Sequence, residues 1–127
     1  MPRILIVDDS ATIRKMVRAS LQALHPAELI DAATGLEAIE QLAIAPVHLI
    51  VLDLNMPDIH GIDVLKFVRR HQQYRDLPIV VLTTRADDTS RQAAEEAGAT
   101  RYLTKPFTPQ ALATTVQVLL AAAVSQG

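Results

Sequence analysis

The sequence predicts an α/β fold in which five strands alternate with five helices and pair into one doubly wound parallel sheet. Three observations carry that prediction. Ile4 to Val7, Leu49 to Leu52 and Ile79 to Leu82 are unbroken apolar runs of strand length, the pattern of strands covered by helices on both faces. Between them lie segments whose apolar residues recur at helical spacing. Finally, each apolar run stops at a polar residue: Asp8 and Asp9, Asp53, and Thr83.

After the first run, Ser10 can cap a helix, and Ile13, Met16, Val17, Leu21 and Leu24 form its apolar stripe. Arg14, Lys15 and Arg18 fall opposite, on what reads as a solvated face, and His25-Pro26 marks the helix end. Glu28 to Ala32 alternates polar and apolar residues, as an edge strand does. Thr34-Gly35-Leu36-Glu37 matches a capping box, with Leu36, Ile39 and Leu42 or Ala43 expected to be buried before Pro46. The Leu49 run and Asp53 follow, then a loop, Asn55-Met56-Pro57-Asp58, and a helix carried by Ile62, Leu65 and Val68 to about His71. After the Ile79 run, a helix from about Asp88 to Ala97, stopped by Gly98, buries mainly alanines and should be lightly held. Thr100 to Leu103 is a mixed strand interrupted by Lys105-Pro106-Phe107. Thr108-Pro109 supplies an N-cap and first-turn proline for a last helix using Leu112, Val116 and Leu119.

The purely apolar strands belong inside the sheet, and the mixed second and fifth strands at its edges. The known flavodoxin-like order 2-1-3-4-5 satisfies this, and it places the switch point between strands one and three, where Asp8, Asp9 and Asp53 meet.

The chain's 127 residues, half of them apolar, suit one domain, 1–127, with a single sizeable core. A net charge of -2 with both signs interspersed offers no basic stripe for nucleic acid and no polybasic membrane anchor. There is no cysteine, hence no disulfide framework and no thiolate chemistry. MPRILIVDD at the start reads as neither a signal peptide nor a spanning helix, so a cytoplasmic protein is expected. The histidines at 25, 48, 60 and 71 lack regular spacing and read as ordinary residues of loops and element ends.

Each rim residue taken singly has a bland role as a cap, a turn or a surface amine. Together they do not, because two unit charges ~5 Å apart at an effective dielectric of ~20 repel by roughly 3 kcal/mol. A hard divalent cation offsets such repulsion, and Mg²⁺ is commonly bound by one or two carboxylates with waters and a phosphate. With Lys105 and a hydroxyl aimed at the same volume, Asp53 becomes a candidate nucleophile for a phosphoryl group.

The chain resembles the response-regulator receiver domains of two-component signalling, the single-domain chemotaxis type in particular. VDDS at 7 to 10, LDLNMP at 52 to 57, LTT at 82 to 84 and YLTKPF at 102 to 107 carry the resemblance, which covers essentially the whole chain. It implies phosphorelay function with Asp53 as phosphoacceptor. Asp8, Asp9 and Asp53, with the backbone carbonyl of Asn55, would hold Mg²⁺. Thr83 and Lys105 would bind phosphoryl oxygens, and Thr83 and Tyr102 would form a switch. A cis peptide at Lys105-Pro106 is implied as well. So is a non-enzymatic role, that of a phosphoacceptor assisting its own phosphorylation and dephosphorylation. The implied partners are a sensor histidine kinase or histidine phosphotransfer protein, and a protein target at the face of the fourth helix, fifth strand and fifth helix. A monomer or weak dimer is expected, with no nucleic acid and no membrane partner. Two departures stand out. Thr84 occupies a position usually small in the family, and Arg85 replaces the acid of the best-known chemotaxis member.

Three alternatives differ in testable ways. A nucleotide- or flavin-binding protein needs close glycines after the first strand, and neither GxGxxG nor GxxxxGK[ST] occurs. A metal-dependent phosphatase needs a cap insertion the chain lacks, and would turn over a generic phosphate ester. A pseudo-receiver would keep the acids as an interaction module without accepting phosphate, which acetyl phosphate labelling decides.

Overall fold

The computed structural model describes residues 2–22 and 27–126, with side chains up to residue 123. The elements run β1 (Arg3–Val7), α1 (Ala11–Gln22), β2 (Glu28–Ala32), α2 (Gly35–Ile44), β3 (Leu49–Asp53), α3 (Gly61–Arg70), β4 (Ile79–Thr83), α4 (Asp88–Ala97), β5 (Arg101–Thr104) and α5 (Pro109–Gln126), with a 3₁₀ turn, Gln72–Tyr74, before β4. All strand pairs are parallel, in the order β2-β1-β3-β4-β5. The expected architecture is therefore the observed one. Leu24 and the helix end at His25-Pro26 lie outside the described residues.

Strand alternation divides the core in two. Leu5, Val7, Ile50, Leu52, Ile79 and Val81 face α2, α3 and α4, while Ile4, Ile6, Leu49, Val51, Val80 and Leu82 face α1 and α5. Each such side chain, fully buried, stabilises the fold by about 1.5–3 kcal/mol. The uninterrupted apolar strands thus glue two helical layers to one sheet.

The helix caps follow the sequence closely. Ser10 Oγ accepts from the Ile13 amide, Thr34 Oγ1 from Glu37 and Thr108 Oγ1 from Ala111. Glu37 completes its box one residue early, on the Ala33 amide. Gly98 ends α4 at φ 114°, a left-handed conformation suited to glycine. Its carbonyl is clasped by Arg69 of α3 through Nε and Nη2, at 3.0 and 2.7 Å, which pins the C-terminal end of α4. Between its ends α4 buries only Ala94 and Ala97, as its alanine-rich sequence predicts.

Two apolar stripes differ from expectation. Met16 is 41% exposed and Leu36 is 55% exposed; Ala43 is exposed too. Helix α2 lies on the sheet through Gly35, Ala38 and Leu42 instead. Its N-terminal end also approaches the β3–α3 loop closely: a Cβ on Gly35 would come within 2.8 Å of Ile59 Cβ. Leu36, next in sequence, is rotated outward. In α3 the buried residues are Val64, Leu65 and Val68, with Ile62 only partly covered.

Candidate functional site

The strand register brings the rim residues together. Val7 pairs with Leu52, Asp53 with Leu82, and Thr83 with Thr104, so Asp8, Asp53, Thr83 and Lys105 line up at the carboxyl ends of β1, β3, β4 and β5. Asp8 and Asp53 are buried and Asp9 is exposed, and each offers a carboxylate oxygen within 4.8 Å of the others. Lys105 Nζ stands between two of them, 2.7 Å from Asp8 Oδ2 and 3.5 Å from Asp53 Oδ1. The peptide from Lys105 to Pro106 is cis, as expected, and the Lys105 amide donates to the Thr83 carbonyl at 2.7 Å.

Burial raises the Asp53 carboxyl above its ordinary range. The Asn55 amide, which donates to Asp53 Oδ1 at 3.1 Å, opposes the shift; Asp8 and Asp9 add to it, and Lys105 opposes it. One lysine thus incompletely offsets three acids. An oxygen-only donor set with excess negative charge suits a hard divalent cation of the Mg²⁺ kind. The residues present fit such an ion.

Gly61 lets the β3–α3 loop fold back onto the end of β3, its amide donating to the Leu54 carbonyl at 2.9 Å. A Cβ there would come within 2.5 Å of Leu54 Cα and 2.7 Å of the Asp53 carbonyl oxygen. The loop is also tied to α2, because the Asp58 carboxylate accepts from the Gly35 and Leu36 amides, each at 3.0 Å. Those bonds hold the Asp58 carboxyl below its ordinary range. Sequence reasoning passed over Asp58, which lies 23 residues from its farther partner, Gly35.

On the other side, Arg85 joins Thr83 to Tyr102. Its amide donates to Thr83 Oγ1 at 3.2 Å, and its carbonyl accepts from the Tyr102 hydroxyl. Thr83 is fully buried. The Tyr102 ring packs against the core, with the Arg91 guanidinium 5.2 Å from its centroid. Desolvation raises the phenol's pKa. The ring is half-buried, and its hydroxyl bond to the Arg85 carbonyl lies at the surface.

The arginines of α1 correct a second expectation. Arg14 is turned inward onto the Asp8 backbone carbonyl, and Arg18 pairs with Asp31 at 2.5 Å. Neither belongs to a plain solvated face. The described histidines do read as expected: His48 accepts from the Arg3 amide, His60 caps α3, and His71 bonds the Phe67 carbonyl.

Comparison with known proteins agrees with this geometry. The family model of the response regulator receiver domain matches residues 4–117. Chemotaxis protein CheY1 of Helicobacter pylori is 36% identical over 119 residues, 93% of this chain and 96% of that protein. The structure of CheY4 of Vibrio cholerae superposes with a TM-score of 0.87 at 39% identity, covering 94% of this chain and 98% of the other. The manganese-bound form of response regulator Rcp1 gives 0.79 at 31% identity, covering 94% and 91%.

Proposed function

Because the chain belongs to the response regulator receiver domain family of two-component signalling, we propose that Asp53 is its phosphoacceptor and that Asp8, Asp9, Asp53 and the Asn55 carbonyl hold Mg²⁺. The observation that carries this assignment is the junction of three carboxylates within 4.8 Å, with Lys105 reaching two of them. A bound divalent cation supplies positive charge against the carboxylates and the phosphoryl oxygens.

This chain's own residues do the rest. A carboxylate oxygen of Asp53 attacks the phosphorus of a phosphohistidine; an O–P bond forms, the N–P bond breaks, and the leaving imidazole nitrogen keeps the electron pair and takes up a proton. Asp53 Oδ1 is engaged by Asn55 and faces Lys105, so Oδ2 is the nucleophilic oxygen. Lys105 neutralises charge on the transferring group. The Thr83 hydroxyl accepts from Arg85 and still has its own proton to donate to a phosphoryl oxygen. Drawing Thr83 toward that oxygen pulls the Arg85 backbone, and through it the Tyr102 hydroxyl. Helix α4, held firmly by Arg69 at its C-terminal end and lightly elsewhere, yields to that pull, and a protein target reads the α4–β5–α5 face.

On the same reading the receiver acts in the cytoplasm, monomeric or weakly dimeric, and assists its own phosphorylation and dephosphorylation. No described helix is long and apolar enough to cross a membrane. Phosphoryl transfer from a phosphohistidine-bearing kinase fragment tests the assignment. Wild type should accept label only with Mg²⁺ and Lys105→Ala should accept it poorly; metal-independent labelling would contradict the proposal.

A further inference from the structure

Beyond the carboxylates and Lys105, Arg14 is closely engaged with the acidic rim. Its amide bonds the carbonyl of the capping Ser10, so it lies near the N-terminal end of α1, where the helix dipole disfavours a cation. An arginine there would ordinarily extend into water. Its side chain is instead only 16% exposed, with Nε 3.4 Å from Asp31 Oδ2 on β2. That Nε is buried and makes no hydrogen bond of its own, while Nη1 donates to the Asp8 carbonyl at 2.5 Å. Arg18 clamps Asp31 from the other side.

Asp8 is consequently fixed at four points. Its amide bonds the Ala32 carbonyl at 3.1 Å, Oδ1 accepts from Ser10 at 2.9 Å, Oδ2 meets Lys105 at 2.7 Å, and its carbonyl takes Arg14. The carbonyl contact matters most for the next residue. The peptide plane containing the Asp8 carbonyl also contains the Asp9 nitrogen, so fixing one sets the direction in which Asp9 leaves the strand. The exposed carboxylate of Asp9 depends on that plane for its aim.

The geometry points to Arg14 as a positioning residue for divalent-cation binding, anchored by Asp31 and acting through the Asp8–Asp9 peptide. This rests on the proposed Mg²⁺ site at Asp8, Asp9 and Asp53. A planar guanidinium presents Nη1 to the carbonyl and Nε to Asp31 at once, and a lysine ammonium cannot span both. Charge by itself would act the other way, because a fixed cation behind the site repels an incoming one. Arg14→Lys keeps the charge and removes the fork, which separates the two effects.

Mg²⁺ titration followed by amide NMR shifts at Asp53 to Asn55 supplies the test, with no phosphoryl donor present. Arg14→Lys should weaken the Mg²⁺ dissociation constant by about tenfold, the lower end for residues that orient metal ligands. Asp31→Asn, which leaves Arg14 unanchored, should weaken it in the same direction and serves if Arg14→Lys does not fold. Val116→Ala, a cavity in α5 away from the rim, should lower thermal stability and leave Mg²⁺ affinity at the wild-type value. Wild-type Mg²⁺ affinity in both Arg14→Lys and Asp31→Asn would overturn the positioning role while leaving the metal site intact. A wild-type chain indifferent to Mg²⁺ would overturn the metal site and this inference with it.

Discussion

Replacing Asp53 with Asn should make the metal-free protein more stable, although it removes the residue on which the function is proposed to depend. Taking the 4.8 Å within which the carboxylate oxygens lie as an upper limit, and an effective dielectric of ~20, Asp53 is repelled by Asp8 and by Asp9 by at least ~3.5 kcal/mol each. Lys105, at 3.5 Å, returns ~4.7 kcal/mol of attraction on the same scale. Roughly 2 kcal/mol of net repulsion remains, and the solvent around exposed Asp9 reduces it to about 1–2 kcal/mol. Asparagine keeps the Oδ1 acceptor for the Asn55 amide, and Lys105 keeps Asp8. Thermal denaturation in EDTA should therefore show a melting temperature about 3–8 °C above wild type at neutral pH.

The pH dependence has a definite sign. The folded carboxyl's pKa is raised above the ordinary 3.8, so between that value and the raised one the native state holds the proton more tightly than the unfolded chain. Wild-type stability falls as pH climbs through that window. The advantage of Asp53→Asn should accordingly vanish below the ordinary carboxylate range and reach its full size above the raised pKa. An asparagine variant that melts at or below wild type at neutral pH without metal would refute the electrostatic account.

Other consequences follow from the same geometry. Asp9→Ala should raise the melting temperature in EDTA and lose the further rise that Mg²⁺ gives wild type; an undiminished Mg²⁺ response would remove Asp9 from the site. Thr83→Ala should still accept phosphate while losing most of the beryllofluoride-induced amide shifts around Tyr102 and in α4, because the acceptor for the Arg85 amide is gone; wild-type-like shifts would place the route elsewhere. Thr84 is an exposed β-branched residue directly after Thr83, and Thr84→Ala should speed loss of label from Asp53 by opening the path for water; an equal or slower rate would dismiss the steric role.

The sheet and the polar rim at its carboxyl end were legible in the sequence because both are written locally. A strand buried on both faces must be apolar along its length, so Ile4 to Val7, Leu49 to Leu52 and Ile79 to Leu82 declare themselves, and the residues that end them declare the rim. Caps are equally local, each a matter of three or four residues. What escaped depends on partners distant in sequence. Arg14 reads as a surface cation until β2 places Asp31 beside it, and Asp58 reads as a turn residue until α2 brings two free amides to its carboxylate. Leu36 turns outward: helical spacing gives a stripe without its rotation, which the close contact at Gly35 sets. The 14, 18 spacing of two arginines, with Asp31 in the neighbouring edge strand, was the available signal for the Arg14–Asp31–Arg18 cluster.

The central claim is that an acyl phosphate forms on Asp53, and trapping that species tests it most directly. After incubation with acetyl phosphate and Mg²⁺, intact mass should rise by one phosphoryl group, and borohydride reduction should convert a single aspartate to homoserine. Peptide sequencing should place that residue at Asp53, with no conversion in Asp53→Asn or in EDTA. Conversion at Asp8 or Asp9, or equal phosphoryl incorporation by Asp53→Asn, would contradict the account.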